Sequence, residues 1–271
     1  MDVLIAQYAI YAAAVAAIAA FGNAEAFAGP AMLWFDLVMV FFGVRACRHP
    51  GLDGPTRRFA RVLVAALVLT LVITLTFIAT GTRAFPQIGD ALHLIITIVL
   101  FVALMLLPVR AATTRERLKT LLDAGIVAAG ASMALWYFVI GPALERHHRS
   151  WPLILAAACY PVVDLLVLFG FARVLLRGTR QIGRRTLAML GASVLALFTG
   201  DIYLGYQQAH VAVVQRSTFA FLCWLTTHFL LACGAIELWR QAAHPPREPT
   251  RCDEGRRGNS RTSGWPSAIS C

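Results

Sequence analysis

The chain has 271 residues, 59% of them apolar and 14% charged, with a mean hydropathy of +0.69. Soluble domains run at about 45–50% apolar and about 25% charged, so this composition excludes an ordinary soluble domain, a disordered chain and a coiled coil. Six cysteines without a C-x-x-C exclude a disulfide scaffold or zinc ribbon. A net charge of +10 with no basic stripe of interleaved aromatics excludes a nucleic-acid partner.

What remains is an all-α polytopic membrane protein. A helix needs about 20 mainly apolar residues to cross the hydrocarbon layer, and eight segments meet or approach that length. Residues 3–21, 62–80 and 124–144 carry no charge, and the last ends on Gly141-Pro142. Residues 91–109 carry only His93, and 217–236 only His228. Each of the other three holds one carboxylate: 27–44 has Asp36, 152–172 has Asp164 and 186–206 has Asp201. These predict a bundle of eight transmembrane helices over residues 1–240. Residues 241–271, rich in Pro, Arg, Gly and Ser, read as a disordered cytoplasmic tail.

The basic residues orient the bundle. Twenty lie in the segments joining spans 2 to 3, 4 to 5 and 6 to 7 and in the tail, beginning with Arg45, Arg110, Arg173 and Arg240. Four, namely Arg83, Arg146, Arg149 and Arg216, lie on the other side. The positive-inside rule then places both termini in the cytoplasm and the protein in the cytoplasmic (inner) membrane. Ala26-Phe27-Ala28 resembles a signal-peptide cleavage site, but Met1-Asp2 offers no positive n-region and the apolar run is long. Span 1 is therefore expected to be retained.

Ionisable groups at membrane depth cost at least about 2.5 kcal/mol each and point to function. Counted from the span ends, Asp36, Asp164 and His228 fall near mid-membrane, while Asp90, His93 and Asp201 lie nearer the outer face. Three readings stand side by side. The carboxylates can fix helix packing by accepting hydrogen bonds from Thr199, Tyr160, Tyr203, Thr226 or Thr227. Asp90, His93 and Asp201 can instead line an outward-facing ligand pocket, or the carboxylates can carry protons or ions. His93 and His228 sit at different depths and suit a haem poorly, and no H-x-x-x-H or H-E-x-x-H occurs. Neither a metal nor a cofactor is expected. No nucleophile elbow, P-loop or dinucleotide fingerprint occurs, so no enzyme activity is expected either.

Tyr160-Pro161-x-x-Asp164 is the most distinctive local pattern, with Pro161 expected to kink its helix. Asp164-Leu165, Phe169-Gly170 and Arg173 echo Asp36-Leu37, Phe42-Gly43 and Arg45 at the same Asp-to-Arg spacing, which suggests duplicated helix pairs.

The segment Tyr160-Pro161-Val162-Val163-Asp164-Leu165-Leu166 resembles the Y-P-x-x-D-L-L signature of a multi-pass sensor region. That region precedes the catalytic domains of many actinobacterial membrane-bound diguanylate cyclases and cyclic-di-GMP phosphodiesterases (GGDEF/EAL proteins), and of some histidine kinases. Leu122-Asp123-Ala124-Gly125-Ile126-Val127 with Trp136 and Pro142, Gly89-Asp90-Ala91-Leu92-His93-Leu94, and the stretch from Leu190 to Tyr203 resemble the same region, so that residues 85–240 are covered. The resemblance implies a membrane sensor that relays a signal through its last helix to a cytoplasmic signalling protein or a second copy of itself. It departs from the family in carrying no GGDEF, EAL or kinase motif, and the 31-residue tail cannot hold a domain of about 150 residues. A truncated fragment of a longer signalling protein and a small proton- or cation-coupled transporter are the alternatives.

Overall fold

The computed structural model describes residues 2–80, 88–107, 113–146, 151–179, 182–210 and 217–243. Within them the chain is helical throughout and holds no strand. The helices are α1 (Asp2–Phe21), α2 (Ala24–Arg48), α3 (Gly54–Thr80), α4 (Ile88–Leu106), α5 (Thr114–Leu135), α6 (Gly141–Arg146), α7 (Trp151–Arg177), α8 (Arg184–His210) and α9 (Thr218–Ala243). A π-helical turn, Trp136–Ile140, joins α5 to α6.

Short polar side chains start these helices. Asn23 accepts the Ala26 N–H at the head of α2, Asp53 the Thr56 N–H at α3, and Ser217 the Ala220 N–H at α9. Thr113 and Glu116 form a reciprocal capping box that begins α5. Arg115, Arg117 and Lys119, expected in a connecting segment, therefore belong to the first turns of α5. The segment expected to end at Gly141-Pro142 instead continues to Arg146 through the π turn. Widening to a π turn absorbs the proline, which cannot donate to the preceding ladder. α7 likewise stays helical on both sides of Pro161. The kink expected there depends on groups outside the described residues.

Six helices close into a ring in the order α2, α3, α4, α7, α8, α9, with α9 packed most extensively on α2 and α8. α1 lies outside, against α2 and α9, and α5 lies outside against α7. Tyr11 of α1 stacks on Phe229 with ring centroids 4.5 Å apart, and its hydroxyl meets Thr226 Oγ1 at 2.8 Å. Gln7 accepts the indole N–H of Trp34 at 2.9 Å. Ala26-Phe27-Ala28 lies inside α2, with Ala28 fully buried.

The interior is mainly apolar, with Phe35, Phe59 and Met39 fully buried, but it also holds polar groups, and the outside is apolar as well. Asp36, Asp164, Asp201, Gln7, Thr97, Ser193 and Thr227 are buried. Ile5, Leu37, Val72, Ile98, Ile126, Leu195 and many other large apolar side chains are exposed. Water disfavours so much exposed apolar surface, whereas lipid accepts it. Among the described residues α1, α2, α3, α8 and α9 are long and apolar enough to cross a membrane. The molecule has the character of a membrane protein.

The arginine-bearing helix ends gather at one end of the ring. Arg57 at the start of α3 donates to the Leu52 carbonyl at 2.9 Å, and Arg45 near the end of α2 lies over the Trp239 ring of α9. Arg173 of α7 donates to the Met105 carbonyl of α4. Gly183 N–H, just before α8, donates to Gln241 Oε1 at 2.9 Å. That bond carries α9 past the expected boundary at residue 240 to Ala243. The tail proper lies outside the described residues.

Candidate functional site: two histidine–carboxylate pairs on one cavity

His93 and His228 are each paired with a buried carboxylate from a distant part of the chain. His228 Nδ1 of α9 lies 2.5 Å from Asp36 Oδ1 of α2, and Asp36 is fully buried. His93 Nε2 of α4 lies 3.2 Å from Asp201 Oδ2 of α8. Trp224 of α9 donates its indole N–H to the other oxygen of Asp201 at 2.9 Å. Gly200 makes room for this approach, because a Cβ there would stand 3.0 Å from Cys223 Cβ and 3.1 Å from the Trp224 ring nitrogen.

Asp164 of α7 joins the second pair. One donor atom from each of His93, Asp164 and Asp201 falls within a 4.8 Å cluster. Asp164 and Asp201 are each 4% exposed. Asp164 Oδ2 is buried and has no hydrogen-bond partner among the described residues, as is also true of Asp36 Oδ2.

The His93–Asp201 pair and His228 line one cavity of about 350 Å³ among α2, α3, α4, α8 and α9. His93, Asp201, Trp224 and His228 supply polar groups to its wall, along with Thr97 and Thr227. Ile73, Phe77, Leu100, Leu197 and Phe221 make much of the remainder apolar. The lining comes from the N-terminal parts of α2, α4 and α9 and the C-terminal parts of α3 and α8. The cavity therefore lies in the half of the bundle away from the arginine-bearing ends.

The sequence expectations meet this geometry unevenly. His93 and Asp201 do come together as expected. Asp164, expected at a different depth, is level with them. Counting from span ends misplaced it because the helices enter the bundle unequally: α7 begins at Trp151, well before Asp164, while α4 begins at Ile88, close to His93. His228 and Asp36 pair with one another and share the cavity through His228. The side chains of Asp90, Tyr160 and Pro161 lie outside the described residues.

The hydroxyls expected to serve the carboxylates do other work. Thr199, Thr226 and Thr227 return their hydroxyls to the carbonyl four residues back, and Tyr203 packs its ring against Phe219. The donors that reach the carboxylates are imidazole and indole instead. Trp224 was missed in the sequence, although Trp224, Thr227 and His228 share one face of a helix by their spacing.

The echo between Asp36 and Asp164 has a structural counterpart. Both carboxylates are buried, and the glycine that follows each sits against a neighbouring helix, Gly43 beside Val64 of α3 and Gly170 beside Leu104 and Met105 of α4.

Comparison with protein-family models, with curated proteins and with solved structures gives no match.

Proposed function

We propose that the chain is an eight-span protein of the cytoplasmic membrane, with both termini inside, that senses a ligand or membrane signal in its cavity and relays it to the cytoplasmic side. The observation that carries this reading is the cavity itself, largely apolar and furnished with the His93–Asp201 pair and with His228, which Asp36 holds. A few placed polar groups in an apolar pocket are the ordinary makeup of a small-molecule site.

α9 supplies the relay. Its first half brings Trp224 and His228 to the cavity, and its last turns bring Trp239 and Gln241 to Arg45 and Gly183. A helix of 26 residues spans about 39 Å at 1.5 Å per residue, so one rigid element reaches both ends. A shift at His228 then alters the arginine end, where a cytoplasmic signalling protein or a second copy of the chain would read it. The excess of arginine at that end supports its cytoplasmic placement. Kinship with the sensor regions of GGDEF/EAL proteins belongs to the same proposal and rests on the Tyr160-to-Leu166 segment.

The test needs no known ligand. Thr70→Trp and Leu197→Trp each fill the cavity from a lining position. Spin labels at Arg58 and Arg240, in membrane nanodiscs, report the distance between α3 and α9 at the arginine end. Sensing predicts a changed distance distribution in both filled variants. An unmoved arginine end in both, with the chains still folded, overturns it.

The buried pairs also favour a second reading, a proton- or cation-coupled transporter, because the carboxylates of Asp36, Asp164 and Asp201 are held out of water near one cavity. That reading predicts pH- or ion-driven flux in proteoliposomes, lost in Asp36→Asn. A sensor predicts none.

A further inference from the structure

We infer that His93, Asp164 and Asp201 form a binding site for a divalent transition-metal ion, of the zinc, manganese or iron(II) class. Three helices, α4, α7 and α8, deliver one donor each, and the donor atoms gather within 4.8 Å. Ligands about 2.0–2.2 Å from a tetrahedral ion sit about 3.3–3.6 Å from one another. The 3.2 Å between His93 Nε2 and Asp201 Oδ2 is already close to that spacing, and Asp164 offers its donor atom within 4.8 Å of both.

Charge and hydrogen bonding carry the inference further. Asp164 Oδ2 is buried without a hydrogen-bond partner among the described residues, on a side chain 4% exposed whose carboxylate belongs to the cluster. A buried carboxylate oxygen left without a donor is costly. With both carboxylates ionised and the imidazole neutral, the cluster would carry a charge of −2, which a divalent cation would bring to neutrality. A protonated His93 would bring it only to −1. Trp224 donates to Asp201 Oδ1 while His93 meets Oδ2, so the indole supplies the kind of outer-shell bond that orients a ligating carboxylate. One imidazole and two carboxylates suit zinc, manganese or iron(II) better than copper(I), which prefers sulfur.

His93 and Asp201 also line the cavity. Three protein donors leave a coordination position for water or a ligand, in the manner of open rather than closed sites. The inference holds whether the chain senses or transports.

The test uses the full chain, purified in detergent, stripped with a chelator and titrated with Co2+ as a spectroscopic probe. The expected result is visible d–d absorption saturating at about one ion per chain and displaced by Zn2+. It should be absent in Asp164→Asn and in Asp201→Asn, weakened about tenfold in Trp224→Phe, and unchanged in His49→Ala, whose imidazole lies at the arginine end. A folded, monodisperse wild-type chain that takes up no Co2+ overturns the inference, however the variants fold. In that case an infrared protonated-carboxyl band removed by Asp164→Asn identifies a shared proton in place of the ion. Uptake that persists in both Asp variants overturns it too, by placing the ion elsewhere.

Discussion

His228 of α9 and Asp36 of α2, 192 positions apart in the chain, meet with Nδ1 and Oδ1 2.5 Å apart. Asp36 is fully buried, so this bond closes the ring at the seam where α2 meets α9. Removing one partner of a buried hydrogen-bonded pair leaves the other unsatisfied, at a cost of about 1–3 kcal/mol and more for a charged group. Asp36→Ala should therefore lower the unfolding midpoint more than Tyr11→Phe, which removes one part-buried hydroxyl bond of about 1 kcal/mol. Denaturant titration in micelles, followed by circular dichroism, measures both. Equal small losses would contradict a structural role for the pair.

Trp224 is the donor that holds Asp201 in place. Trp224→Phe keeps the ring but leaves Asp201 Oδ1 without that donor, a loss of about 1–3 kcal/mol. Gly200→Val should reproduce much of this effect without touching Trp224, because its side chain occupies the space the indole uses. Tryptophan fluorescence should shift in Gly200→Val and not in Gly54→Ala, where an added Cβ meets nothing.

α5 presents Leu118, Leu122, Ile126 and Met133 to the outside, and Ile126 is 71% exposed. The eight-span proposal places this face in lipid. On that proposal Ile126→Lys should hinder insertion by about 2.5–3.5 kcal/mol, the cost of a lysine at the centre of a span. The fraction of chain recovered in the membrane measures this. A lysine tolerated there without loss would place this face in water.

Span 1 makes specific contacts through Gln7 and Tyr11. Mass spectrometry of the membrane-extracted protein should find residues before Gly29 still attached. Trp34→Phe should loosen α1, read as faster proteolysis near Phe21. A mature chain beginning at Gly29 would refute retention.

Orientation is checked by single cysteines placed at Arg185 and at Thr218 in a background without the native cysteines. A membrane-impermeant thiol reagent added to intact cells should label Thr218→Cys and spare Arg185→Cys. The reverse pattern inverts the topology.

The helical fold was legible in the sequence because the signal is one-dimensional. Long apolar runs separated by arginine, as at 62–80 between Arg61 and Arg83, leave few options for a backbone that must satisfy its own hydrogen bonds in lipid. Each of the eight expected segments coincides with helix in the structure, in whole or in large part. The informative residues were legible for the same reason: a carboxylate or imidazole amid apolar neighbours stands out before any contact is known. Boundaries were less legible, since the Thr113–Glu116 box and the π turn extend the fifth segment both ways.

Partners depended on the tertiary structure. Whether Asp36 meets His228, and whether Asp164 lies level with His93 and Asp201, turns on helix rotation and relative depth, which composition and span counting leave open. Helix-internal bonding also decided that threonine hydroxyls would be spent on their own backbone, leaving imidazole and indole to reach the carboxylates. By itself the sequence determined that this chain is helical, suited to lipid and marked by a few buried charges. Only the packing of six helices into a ring decided that those charges form two histidine pairs around one cavity, because lateral neighbours are chosen by side-chain shape between segments far apart in the chain.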